Sequence, residues 1–289
     1  MAKLAFNADF YRTSYGDLSH MSEEDAEVHF LKHGIGEGRS GAKGGLREDL
    51  PQRIPPNEPV LELGPFASPV ARGKNVRYAD VLSTTALRKR AIECGIDPAG
   101  CPDIEYVLSD FDLSKIAGKF SAVISSHCIE HQPDLVRHLQ SVEALLADSG
   151  RYLLIIPDKR YCFDHFLPAT SIADVMTAYM RRHRVHEVGS IIEHWALVTH
   201  NDTGRHWNGD HGEPHIANTM EPLTRALREY EADPTRYIDV HAWQFTPISF
   251  LDLMRLLNEL GLVRLSALEV HNTPRGRNEF CAVLERKNS

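Results

Sequence analysis

From residue 59 onward, short apolar runs alternate with amphipathic stretches. VLEL (60–63), VRYADV (76–81), IEYVLSD (104–110), FSAVISSH (120–127) and RYLLIIP (151–157) have the length and β-branched content of buried strands. Between the last two, Leu135, Val136, Leu139, Val142, Leu145 and Leu146 recur at helical spacing, which predicts a helix over 134–148 closed by Gly150. Regularity returns at 247–260, where Pro247 opens a helix carrying Phe250, Leu251, Leu253, Met254, Leu256, Leu257 and Leu260. LVRLSALEVH (262–271) and NEFCAVLERK (278–287) form a closing pair of strands. Strands joined by helices predict an α/β, doubly wound, Rossmann-like sheet that binds ligands at the carboxyl ends of its strands.

Two regions break this alternation. Residues 1–45 predict a small helical module, with Ser22 as cap, Glu23, Glu24 and Asp25 in the first turn, and Gly34 as stop. A Gly- and Pro-rich stretch, 46–58, reads as a linker to a core formed by 59–157 and 247–289. Residues 158–246 hold most of the histidines and all three tryptophans, with helical signals near 171–183, 188–200 and 219–231. An interruption of that length inside a compact fold predicts a cap that shapes a substrate pocket.

Charge and cysteine content narrow the class. A formal charge of −8 argues against a nucleic-acid partner, which needs a basic face. No apolar run is long enough to span a bilayer, and the N-terminus lacks the pattern of a secretory signal. Five widely spaced cysteines form no CxxC pair and read as thiols of a reducing, cytoplasmic setting.

The candidate chemistry sits at the strand ends. Glu62 closes the first strand, and Gly64, Pro65, Phe66, Ala67 and Ser68 follow in the turn, where backbone amides can meet a ligand. Asp80 ends the second strand, where a carboxylate can accept both hydroxyls of a ribose; it can also cap a helix opening at Ser83-Thr84. Asp110 and Asp112, flanking Phe111, follow the third strand at the position of an adenine edge. Ser126, His127, Glu130, His131 and Asp134 follow the fourth; His127 can face the reacting centre or sit in the core, and Glu130-His131 can cap the next helix.

These residues resemble the class I S-adenosylmethionine (SAM)-dependent methyltransferases, in the branch whose fourth strand ends in S-x-x-x-x-E-H-x-x-D. The likeness covers roughly 59–157 and 247–287, and it implies a seven-stranded sheet with the last strand antiparallel. It also implies SAM as cofactor, with Glu62, Gly64, Pro65, Phe66 and Ser68 in the binding loop, Asp80 at the ribose, Asp110 and Phe111 at the adenine, and Ser126 and His127 at the centre. The family's loop is acid-x-Gly-x-Gly-x-Gly; only Gly64 stands here, with small Ala67 and Ser68 in place of later glycines. Separately, Phe6, Phe10, Tyr11, His29, Phe30, His33, Gly34, Glu37, Gly38 and Arg39 resemble short helical modules that accompany bacterial glycosyltransferases, which would make such an enzyme a partner.

The interrupting region mixes His, Asp, Asn and Trp, a composition suited to a sugar: aromatics stack on its faces and polar groups hold its hydroxyls. No ligand-spaced pair on one helix assigns a metal. Transfer to a sugar hydroxyl is helped by a base of near-neutral pKa. The candidates are His127, His131, His165, His211 and His241, with Asp158 or Asp210 as orienting partner, and position in the cap ranks His165 and His211 first. The expectation is SAM-dependent O-methylation of a sugar, glycan or other small-molecule acceptor in polysaccharide biosynthesis. The competing readings are a catalytically silent partner subunit in glycan assembly and a metal-dependent enzyme using the cap histidines.

Overall fold

The computed structural model describes residues 3–108, 112–217 and 220–286. In chain order, the elements begin with α1 (Ala8–Ser14), α2 (Glu23–His29) and α3 (Ile35–Glu37), followed by β1 (Val60–Leu63), β2 (Val76–Asp80), α4 (Thr84–Glu93), β3 (Tyr106–Val107) and β4 (Phe120–Ser126). Next come α5 (Leu135–Leu145), β5 (Leu146–Pro157), α6 (Ile172–Arg181), α7 (Val188–Ala196), α8 (Thr203–Trp207), α9 (Glu221–Ala232), α10 (Pro247–Glu259), β6 (Leu265–Val270) and β7 (Glu279–Arg286).

The strands form one seven-stranded sheet in the order β3-β2-β1-β4-β5-β7-β6. β1 pairs in parallel with β2 and with β4, and β4 with β5; β7 runs antiparallel to both of its neighbours. This is the Rossmann-like methyltransferase fold expected from the sequence, including the antiparallel last strand. Strand order reverses between β1 and β4, so a crevice opens at their carboxyl ends. All four β1 residues are buried, as a central parallel strand covered on both faces requires. On one face α5 buries Leu135, Val136, Leu139 and Val142, while α10 buries Phe250, Leu253, Met254 and Leu257. The smaller cluster sets Leu50, from the segment before β1, against Val60, Ala122, Ile124, Leu153 and Val283, the alternate residues of the strands.

Element ends depart from expectation in three places. The helix after β4 stops at Leu145 rather than near Gly150, because β5 already begins at Leu146 and bulges past Ser149 and Gly150. Gly34 does not stop the N-terminal helix; the chain passes through a π-turn at Phe30–Gly34, continues into α3 and ends at Gly38, whose φ of 70° suits a left-handed cap. Residues 46–58, expected as a linker, are held in place: Leu50 is buried, Arg47 donates to Glu279 and Ser126, and Arg53 donates to Glu269. The N-terminal elements dock on the β6 end of the sheet through Ala5 N to Val270 O (2.8 Å) and Asn272 Nδ2 to Ile35 O (3.1 Å).

Gly34 has a packing role. A methyl group there would lie 2.2 Å from the Tyr11 hydroxyl, which is fixed at 3.0 Å from His29 Nδ1 within a cluster of Phe6, Tyr11 and Phe30. Gly34→Ala is therefore expected to destabilise the protein by about 1–3 kcal/mol in urea unfolding, and by distinctly less in a Tyr11→Phe background.

Candidate functional site

A cavity of about 510 Å³ opens at the carboxyl ends of β1, β2 and β4, at the reversal of strand order. Its size falls within the roughly 300–1,000 Å³ of small-molecule sites. The floor is apolar, formed by Leu63, Ala79, Leu87, Leu108 and Leu113. The polar wall is Asp80, His127, His131, Gln132, Tyr237 and Asp239.

Backbone geometry at the rim explains the single glycine of the first loop. Gly64 has φ of 64°, and a Cβ there would meet only Cys128 at 3.8 Å, so conformation rather than space requires the glycine. Phe66 at φ 43° and His127 at φ 48° hold the same left-handed region without being glycine, and both line the cavity. Such conformations cost about 1–3 kcal/mol each and persist where surrounding contacts dictate them. For the loop, Glu62 supplies those contacts. It is buried, and its two oxygens accept from Val70 N (2.7 Å) and Ala71 N (2.9 Å), clasping the far end of the loop. Burial pushes its pKa up to about 7 against those two amide donors. For His127, Nε2 donates to Glu279 at 2.7 Å.

Asp80 lines the cavity and accepts from Leu82 N (2.8 Å); burial pushes its pKa upward. Helix α4 takes its cap from Ser83 instead, so the Asp80 carboxylate serves the cavity rather than the helix. Asp134 caps α5 through Arg137 N, so Glu130-His131 does not serve that purpose.

Behind the polar wall, the returning end of the insertion is sewn to the turn after β4. Ala242 N donates to Glu130 O (2.8 Å) and Trp243 Nε1 to Gln132 O (2.6 Å). This pairing brings Tyr237, Asp239 and His241 beside Glu130 and His131. The Tyr237 hydroxyl donates to His131 O, and His131 Nδ1 lies 3.0 Å from Asp239 Oδ1. The neighbouring imidazole holds the exposed Asp239 well below the usual carboxylate range. His241 Nδ1 donates to the buried Asp164 Oδ2 at 2.6 Å.

Of the residues expected at the site, Gly64, Phe66, Asp80, His127 and His131 line the cavity. Pro65, Ser68 and Ser126 flank it without lining it; Ser126 Oγ accepts from Arg47. Asp110 and Phe111 lie outside the described residues. His241 stands one layer behind the wall, against His131 with ring centroids 4.7 Å apart. The position of His165, His211 and Asp158 does not support their ranking as cavity groups. His165 stacks on His211 at 3.7 Å, joined by His206 in a separate cluster, and none of the three lines the cavity. Asp158 is wholly buried in a pair with Arg160 (2.6 Å) and accepts from Thr273 Oγ1 (2.6 Å). Asp210, the other orienting candidate, pairs with Arg205 at the surface. The tryptophans are also occupied: Trp207 stacks on Tyr161, Trp195 lies under Arg225, and Trp243 is buried.

Sequence reasoning did not single out Arg90, Gln132, His138, Tyr237 or Asp239. Arg90 follows Asp80 on the next helix and could be found by that spacing. Tyr237 and Asp239 reach the cavity through long-range pairing that leaves no local signal.

No family model matches the sequence, and no curated protein matches it. Solved structures with a similar course of chain include the 1,6-didemethyltoxoflavin N1-methyltransferase of Burkholderia thailandensis with S-adenosylhomocysteine bound (12% identity, 100% of this chain and 93% of that one, TM-score 0.42). Another is the magnesium protoporphyrin IX methyltransferase of Synechocystis, also with S-adenosylhomocysteine (13%, 80% and 75%, 0.36). A third is a protein of Rhodobacter sphaeroides named as a zinc-dependent alcohol dehydrogenase (14%, 87% and 92%, 0.44). At these scores no activity transfers from any of them, and the fold assignment rests on the sheet order itself. Among the described residues, no helix is long and apolar enough to cross a membrane.

Two outcomes are expected. Glu62→Gln places an amide NH₂ against a backbone N–H and should cost about 1–3 kcal/mol of stability by chemical denaturation. Glu279 is held down at about 2, because hydrogen bonds from His127 and Arg47 overcome the upward push of burial. Its folded value lies below its unfolded value, so its stabilisation is present above pH 4.5 and drains away as pH falls toward 2. Glu279→Gln should flatten the stability-versus-pH curve in that window.

Proposed function

We propose that this protein is a SAM-dependent methyltransferase acting on a small, hydroxylated acceptor. The observation that carries this reading is the cavity at the β1/β4 switch point, where Asp80 stands beside an apolar floor and the Gly64 turn. That arrangement suits a nucleoside: Asp80 would hold the ribose hydroxyls, Leu108 and Leu113 would flank the adenine, and the loop at Gly64–Phe66 would face the methionine end. When bound, SAM supplies a methyl group on a sulfonium, which leaves toward a nucleophile aligned with it.

The chain's own contribution is alignment and exclusion of water. His131, Gln132, Tyr237 and Asp239 form the polar side of the cavity and would orient the acceptor. Their chemistry fits hydroxyl groups, as on a sugar or glycan precursor. The aromatic argument for a sugar loses its weight, since the three tryptophans are engaged elsewhere. Three histidines line the cavity, and His138 is set aside because its Nε2 is hydrogen-bonded to the Tyr152 hydroxyl at 2.9 Å. Neither of the other two turns a ring nitrogen to the acceptor as a free base. His127 lies between Glu279 and Glu130, and His131 between Asp239 and Glu130.

Calorimetric titration with SAM and S-adenosylhomocysteine tests the reading. Micromolar affinity is expected, weakened about 10–100-fold by Asp80→Ala through loss of its hydrogen bonds to the ligand. His165→Ala and His211→Ala should leave that affinity unchanged. No heat and no thermal shift at millimolar ligand would instead select the silent-subunit reading.

A further inference from the structure

Glu130 is the least explained group in the molecule. Its side chain is wholly buried, and among the described residues neither oxygen has a hydrogen-bond partner. A buried carboxylate left this way is costly unless something positive reaches it. Three imidazole nitrogens point at Oε1 without bonding it: His127 Nδ1 at 3.6 Å, His131 Nε2 at 3.8 Å and His241 Nε2 at 3.9 Å. These separations exceed a hydrogen bond. They approach the spacing of two ligands on one cation: atoms about 2.0–2.1 Å from a tetrahedral zinc lie roughly 3.3–3.5 Å apart.

The outer contacts set the direction of each ring. His241 donates its Nδ1 proton to Asp164 (2.6 Å), and His131 turns Nδ1 to Asp239 (3.0 Å). With its Nδ1 proton committed, His241 presents an Nε2 lone pair to Glu130, itself an acceptor, and at His131 the Nδ1 contact with Asp239, an ion-pair approach outside hydrogen-bond geometry, favours the same orientation. Acceptors converging on one point need a cation between them, and carboxylate-backed imidazoles are the usual outer support of a metal ligand.

We propose that Glu130 Oε1, His131 Nε2 and His241 Nε2 bind one divalent transition-metal ion, zinc by preference for a two-histidine, one-carboxylate set. Asp164 and Asp239 are positioning residues for the two rings. The ion sits against the cavity wall on the side of His131, the most exposed of the three ligands. There it can hold and polarise an acceptor oxygen, the activation that the histidines of the wall do not provide as free bases. Only this catalytic role rests on the methyl-transfer reading; binding of the ion does not.

The second histidine group, His165, His206 and His211, differs in holding, among the described residues, no buried carboxylate left without a partner. His165 Nδ1 and His206 Nε2 donate to the carbonyls of Arg160 and His200, and His206 Nδ1 shares a proton with His211 Nδ1 at 3.1 Å.

The experiment is elemental analysis of protein purified without added metal, then zinc titration of chelator-treated protein by calorimetry, with cobalt(II) absorption as a report of ligand geometry. About one ion per chain is expected. Glu130→Gln and His241→Ala should each weaken zinc binding more than about 100-fold and abolish the tetrahedral cobalt bands. Asp164→Asn, which keeps every ligand, should lose about 10–100-fold, and His206→Ala should change nothing. Zinc binding no tighter than millimolar in the unaltered protein, or binding lost with His206→Ala and retained in Glu130→Gln, would overturn the assignment. Circular dichroism guards against misfolded variants, and Asp164→Asn keeps the test decisive should the others fail to fold. SAM affinity measured on the metal-free protein separates failure of this site from failure of the methyl-transfer reading.

Discussion

The junction between the turn after β4 and the returning end of the insertion is the constraint on which the site depends. Glu130 occupies both sides of it. Its backbone carbonyl accepts from Ala242 N, and its carboxylate is enclosed by His127, His131 and His241. The parallel sheet alone supplies an apolar crevice with Asp80 on one wall. The junction supplies the other wall, since Tyr237 and Asp239 are carried there by the same chain segment that delivers His241. Removing the backbone pairing would separate the Asp80 side of the cavity from the Tyr237 and Asp239 side.

What the sequence made legible follows from period and length. Val60–Leu63 and the Tyr152–Pro157 half of β5 are buried throughout because both faces are covered, and helices such as Leu135–Leu145 carry an apolar stripe facing one layer. Both patterns are local and survive without knowledge of partners. The strand-end residues Gly64, Asp80, His127 and His131 were legible for the same reason: topology fixes where a strand end points. Histidine ranking was not legible. His165 and His241 are similar in sequence surroundings, each within two residues of an acid and an aromatic residue. Yet His241 is drawn to Glu130 by the pairing of 242 with 130, while His165 stacks on His211. That choice is made by contacts far apart along the chain, more than a hundred residues for the 242–130 pairing, which periodicity does not encode.

The two histidine groups show how similar composition yields different chemistry. In one, the rings' protons go to backbone carbonyls and to each other, so neutral imidazoles satisfy one another. In the other, the outer partners are the carboxylates Asp164 and Asp239, and the inner partner is a third carboxylate. Two buried acids, Glu130 and Asp164, beside two or three imidazoles, with the exposed Asp239 at the outer side, leave an excess of negative charge unless protons or a cation enter. A ring fixed by a carboxylate at Nδ1 has little freedom to rotate away. The arrangement is therefore prepared in advance, and its cost is met by the pairing that holds the insertion in place.

The reduced glycine loop fits the same logic of conformation set from outside. Successive glycines let a loop adopt left-handed turns with no help from neighbours. Here one glycine, Gly64, takes the position after β1, and Phe66 takes a left-handed φ of 43° despite its side chain. The strain is tolerable because Glu62 fixes the loop's far end through the amides of Val70 and Ala71, and because the Phe66 ring packs beside Leu87, Ala91 and Cys101. A dinucleotide's pyrophosphate needs bare amides at close approach, whereas SAM has no phosphate and is held by its ribose hydroxyls, adenine face and amino-acid end. A loop with one glycine and a buried acidic clasp loses little for such a ligand. It gains a rim whose shape is fixed by packing rather than left to the flexibility of the chain.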